Sequence, residues 1–147
     1  MKEMIQYKYS KITEEQFATF EENYDPTSPV QVNNTVSFSF NFDNNTIICS
    51  EIIVFSQLDK IVLKAGLSSY FSIHPDSINE LTNNEGISFP KEILWQFASL
   101  NYGCFRGVLF EKTKDTALNS IILPPFYFDS LIKEGLVFST KSNNNPT

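Results

Sequence analysis

The sequence predicts an α+β fold in which four strands come first, three of them as an antiparallel meander, followed by a long helix and a short C-terminal one. Three observations carry this. Val36 to Phe42 alternates without a fault, placing Val36, Phe38, Phe40 and Phe42 on one sheet face and Ser37, Ser39 and Asn41 on the other. Asp43-Asn44-Asn45 follows, a cluster that tolerates left-handed backbone, and an apolar run then resumes. After Phe89-Pro90 the apolar spacing changes from two to the helical period, at Ile93, Phe97, Leu100 and Cys104.

In chain order, Ile5 to Ile12 alternates Ile5, Tyr7 and Tyr9 against Gln6, Lys8 and Ser10, which fits a first strand; Glu14 to Phe20 also fits a helical turn. Asp25 to Pro29, with two prolines, is a loop. The second strand is residues 36 to 42 and the third Thr46 to Phe55. Ser56-Gln57-Leu58-Asp59 makes a turn, and the fourth strand runs from Lys60 to Ile73, with Gly66 marking a bulge or bend. His74 to Gly86, rich in Asp, Asn and Ser, reads as a loop. Ser88 is placed to cap a helix of about five turns whose first turn holds Pro90 and Glu92. Leu94, Phe105 and Val108 lie alongside its apolar repeat. Gly103 and Gly107, one turn apart, weaken that helix but permit close packing of another backbone, within or between subunits. Glu111 to Ser120 is a polar connection and Ile121 to Pro125 an extended apolar piece. Asp129 to Glu134 is a short second helix closed by Gly135, and residues 139–147 are a polar tail on a single domain spanning 1–138.

With 147 residues, 41% apolar content, 14 Phe and 6 Tyr, the chain suffices for one globular core. A net charge of −6 without any Lys/Arg cluster argues against a nucleic-acid or anionic-membrane partner, and no apolar stretch is long enough to insert into a membrane, so a cytoplasmic location is expected. Cys49 and Cys104 fit small buried hydrophobes better than a disulfide in a reducing compartment. The single histidine, His74, has no companions at ligand spacing, so no metal is expected. The five glycines are too scattered for a phosphate loop, and Glu14-Glu15 and Glu21-Glu22 read as solvated surface. Neither a cofactor nor enzymatic chemistry is indicated.

What remains is a surplus of aromatics, including Tyr70-Phe71, Trp95, Phe97, Tyr102, Phe105, Phe110 and Phe126-Tyr127-Phe128. Adjacent aromatics in an extended segment face opposite ways, so some must cover an interface or line a groove. Aromatic surface beside an open strand edge suits extended apolar peptides, because backbone hydrogen bonds there are independent of sequence.

Three short motifs, in order, resemble the SecB family of export chaperones: Phe89-Pro90 at a helix start, Arg106-Gly107 near its end, and Leu123-Pro124-Pro125-Phe126-Tyr127-Phe128-Asp129-Ser130-Leu131. The last is similar to the family's closing Leu-x-Pro-Val-Asn-Phe-Asp-Ala-Leu, and Phe71-Ser72-Ile73 matches the end of its fourth strand. The resemblance implies a four-stranded antiparallel sheet with both helices on one face, and a homo-oligomer, dimer or tetramer. It further implies ATP-independent holding of unfolded clients in a hydrophobic groove. Leu123, Pro124, Phe126 and Phe128 would lie in or near that groove and Asp129 would cap the second helix; the aromatic surplus adds Trp95, Phe97 and Tyr70 as candidate client-binding residues. This chain departs from the pattern in three places. The crossover around Lys112 to Asn119 is several residues longer, the turn that is Glu-Glu in the family is Ser56-Gln57-Leu58-Asp59, and an acidic tail is replaced by Lys141-Ser142-Asn143-Asn144-Asn145. These losses argue against coupling to the secretion ATPase and favour a chaperone with one dedicated client, such as an antitoxin or a mobile-element protein, over a general export factor. The rival expectation is a non-chaperone assembly protein that spends its aromatic surface on a fixed oligomer or one folded partner.

Overall fold

A computed structural model describes residues 4–140. Strands β1 (Tyr7–Thr19), β2 (Gln31–Asn41), β3 (Thr46–Gln57) and β4 (Lys60–Ile73) form one antiparallel sheet in the order β1-β4-β3-β2. The three consecutive hairpin strands are the expected meander. Asn45 closes the β2–β3 turn at φ +52°, and Leu58 and Asp59, at +50° and +63°, form the two-residue β3–β4 turn whose twist suits a hairpin.

Strand β1 is longer than expected. Its pairing with β4 continues from Tyr7↔Ile73 to Thr19↔Leu63, so residues 14–19 are strand and no helical turn forms. Two bulges, between Tyr9 and Lys11 and between Glu14 and Gln16, absorb the polar residues that obscured the alternation. The second lies opposite Gly66, so the irregularity expected at that glycine belongs to its partner strand.

The stretch read as a loop after β4 is structured. His74 Nδ1 accepts from Asp76 N at 3.1 Å and Pro75 opens helix α1 (Pro75–Leu81). A hairpin of β5 (Thr82–Asn83) and β6 (Gly86–Phe89) follows, and β7 (Leu136–Phe138) pairs with β6 to complete a small second sheet. The glycines at its corners explain themselves. Gly86 has φ +140°, and a Cβ on Gly135 would lie 2.4 Å from the Phe89 carbonyl oxygen. That close approach draws the chain into β7, and the short helix expected at Asp129–Glu134 is a single 3-10 turn, Phe128–Ser130.

Helix α2 (Lys91–Lys112) starts from Pro90 rather than Ser88, which belongs to β6. It packs on β3 and β4, with Ile93, Leu94, Phe97, Ala98, Asn101, Tyr102, Phe105 and Leu109 buried. Leu100, expected inside, points out at 38% exposure, while Asn101 takes the core position because its amide donates to Leu67 O at 3.2 Å and accepts from Ser69 Oγ. Phe71 of β4 stacks on Phe97 with centroids 4.3 Å apart, which identifies the covered face of the sheet. Ser50 and Ser68, hydroxyls 2.7 Å apart, sit on the opposite, open face. Among the described residues, a Cβ added at Gly103 or Gly107 would meet nothing within 4 Å beyond its own stretch of helix. Both cysteines are free.

Candidate functional site

Beyond α2 a 3-10 turn (Ala117–Ser120) reverses the chain, and residues 121–128 run back along the helix. One stripe of α2 holds this return segment. Arg106 Nε donates to Leu123 O at 3.2 Å, Tyr102 Oη to Pro124 O at 2.6 Å, and Trp95 Nε1 to Ile132 O at 2.8 Å. The spacing of seven and four residues puts all three side chains on one face, as a helix of 3.6 residues per turn requires. The Arg106 guanidinium also lies 5.5 Å from the centre of the Tyr102 ring, whose phenol is held above its usual pKa by burial, against the opposing charge of Arg106. In the extended segment alternate residues go in and out: Leu123 and Phe128 are buried, whereas Ile122 and Tyr127 are 65% and 79% exposed. Phe126 is half-buried, 5.9 Å from Tyr102 and 4.9 Å from Phe128 between centroids.

Strand β1 touches the other flank of α2, with Tyr9 Oη donating to Cys104 Sγ at 3.3 Å and Lys112 Nζ 2.9 Å from Glu14. The sheet order therefore puts the return segment on the β3 and β2 side. Here the sheet ends in an unguarded edge. All eleven residues of β2 pair with β3 in unbroken register, and the strand has no charge, proline or bulge; β1, the opposite edge, has two bulges and carries Lys8, Lys11, Glu14 and Glu15. Long flat edges without such devices readily accept another strand.

A concavity of about 880 Å³ opens at the N-terminal end of α2, lined by Ile5 before β1, Tyr7 of β1, Leu81 of α1, Phe89 of β6, Ile93 of α2, and Leu136 and Val137 of β7. An aromatic cluster lies between it and β2: Phe138 stacks on Phe40 at 5.6 Å, and Phe89 approaches both. Beneath α2 lies Glu51, fully buried on β3 with neither carboxyl oxygen in a hydrogen bond of normal geometry. Desolvation pushes its pKa up to about 8, offset in part by the Asn101 side chain, and the same burial, with Glu51 adding to it, raises the Cys49 thiol. Among the described residues no His/Cys/Asp/Glu group could hold a metal, and no helix is long and apolar enough to cross a membrane.

The Mycobacterium tuberculosis Rv1957 SecB-like chaperone, solved with a ChAD peptide from the Rv1956 HigA1 antitoxin, superposes with a TM-score of 0.50 over 82% of this chain and 90% of its own, at 12% identity. The fold is SecB-like. A protein of unknown function from Streptococcus agalactiae aligns with 85% of the chain and all of its own at 14% identity and a TM-score of 0.47. No family model matches the chain, and no curated protein matches its sequence.

Within this SecB-like frame the seven candidate client-binding residues separate. Leu123, Pro124, Phe126, Phe128 and Trp95 are brought together along one flank of α2, although Leu123 and Phe128 are core anchors and only Pro124 is fully outside. Phe97 is wholly buried against Phe71, so it supports the site from within the core. Tyr70 is on the open face of the sheet under Lys11, whose Nζ is 5.1 Å from the ring centre, and cannot share a groove with the others. Sequence reasoning missed Ile122 and the outward direction of Tyr127, which the alternation about Leu123 and Phe128 could have shown. It also missed Arg106 as the clamp on the return segment, for which Arg-Gly gives no signal.

Proposed function

We propose that this protein is an ATP-independent, non-enzymatic holding chaperone that captures non-native client segments as an added strand on the β2 edge. The observation that carries the reading is the uncharged, unbroken eleven-residue edge of β2 on the side of α2 where Ile122, Pro125 and Tyr127 project into solvent. An extended client would satisfy the free backbone groups of β2 whatever its sequence, and its apolar side chains would leave water against this apolar border. The SecB-like fold supports the reading, and the antitoxin peptide held by the mycobacterial chaperone supports a dedicated client. A cytoplasmic homo-oligomer, dimer or tetramer, belongs to the same proposal. Coupling to a secretion ATPase does not, because the β3–β4 turn is the tight Leu58-Asp59 pair flanked by Gln57 and Lys60 rather than a pair of glutamates.

The test is light scattering from a chemically unfolded model protein. Ile122→Asp with Tyr127→Asp alters exposed side chains only and should fold normally, unlike substitution of the buried Phe128. Suppression of aggregation by the native chain, and its loss by about thirtyfold in the double variant, is expected if each of the two apolar contacts is worth ~1 kcal/mol. No suppression at several-fold excess would leave the rival assembly protein as the reading.

A further inference from the structure

The open face of the large sheet is the remaining uncovered surface of size, and its chemistry differs from the rest of the chain. On β3 it presents Ile48, Ile52 and Val54, with Ile52 37% exposed, set among the hydroxyls of Ser50, Ser56 and Ser68. Its charges are sorted. Tyr7 and Tyr9 contact Phe71 on the covered side, so Lys8 between them points to the open side; Lys11 joins it there over Tyr70, and Lys64, between buried Leu63 and Ala65, does the same from β4. None of the three lysines is in an ion pair among the described residues. The strands contribute one carboxylate to this side, Glu15, whose Cβ lies 3.5 Å from where a Cβ on Gly66 would be. The chain as a whole has 17 acidic and 11 basic residues, so three cations to one anion is a reversal of its composition. Edge protection explains lysines on β1 but not Lys64, because β4 lies inside the sheet.

We propose that this face, at its β1–β4 end where the lysines lie, docks a protein partner bearing an acidic, partly apolar surface, at a place separate from the client edge proposed at β2. Opposite charge over a flat apolar centre gives orientation and fast encounter without a deep pocket. Three spaced lysines with no arginine are a poor match to a phosphate backbone, which favours carboxylates over nucleic acid.

The experiment is fluorescence anisotropy of a labelled peptide of alternating Glu and Val, its Lys and Val counterpart, and a single-stranded DNA oligonucleotide of equal length. Binding of the Glu peptide alone, weakening with salt, is expected. It should fall at least about tenfold in the Lys8→Glu, Lys11→Glu, Lys64→Glu variant, as three charge reversals on one face imply. It should be unchanged in the Ile122→Asp, Tyr127→Asp variant, which separates this face from the client edge. Absence of binding, equal binding by the triple variant, or equal binding of the oligonucleotide would each overturn the assignment.

Discussion

Glu51 interrupts the run Ile47, Cys49, Ile53, Phe55, which otherwise fills the covered side of β3 with apolar side chains. The interruption is visible in the sequence, but alternation shows only that a carboxyl occupies a core position; the packing of α2 makes that position dry. Its folded pKa of about 8 lies above the ordinary value of 4.5, so between these the folded chain holds a proton that the unfolded chain has released. Stability contributed at this site is therefore present below about pH 4.5 and lost as the pH rises toward 8, by a few kcal/mol in all. Thermal melts at pH 5 and pH 8 should show Glu51→Gln gaining on the native chain as pH increases, and an equal gap at both would remove Glu51 as the cause.

Helix α2 combines two glycines on its outer stripe with a core-facing stripe that anchors the sheet. Gly103 and Gly107 cost the helix roughly 1 kcal/mol each relative to alanine, and no contact among the described residues requires them. Gly103→Ala and Gly107→Ala should each raise the melting temperature by a few degrees, read by circular dichroism. A fall in melting temperature together with a smaller particle in sedimentation would instead show that a second chain packs closely there. The glycine pair was legible from the start, but whether its neighbour was inside or outside the chain was not, because periodicity gives a stripe and no partner. Strand β1 shows the same limit: residues 14–20 also fitted a helical turn, and pairing of β1 with β4 decided for strand through Thr19.

For the whole molecule, the two sheet edges differ in defence, and the proposed holding function therefore predicts that a client would join at β2. Hydrogen exchange in the presence of an unfolded client should slow the outward-facing amides of β2 and leave those of β1 unchanged, since an added strand protects only the edge that it joins. Protection confined to the cavity around Phe89 and Ile93 would move the site to the N-terminal end of α2.

The α+β class, the β2–β3–β4 meander, the long helix and the apolar return segment were determined by the sequence, because each depends on local periodicity or a turn that neighbouring residues decide. The small sheet of β5, β6 and β7 was decided only in three dimensions: β7 joins its partner from far along the chain, and Gly135 reveals its purpose only beside Phe89. The same holds for the site. Leu123, Phe126 and Phe128 were legible as a motif, but their division into anchors and exposed contacts depends on Trp95, Tyr102 and Arg106 pinning the segment to the helix, and Phe97 and Tyr70 were separated from it by the two faces of one sheet. Alternation tells which residues share a face, but which layer that face meets is a property of packing.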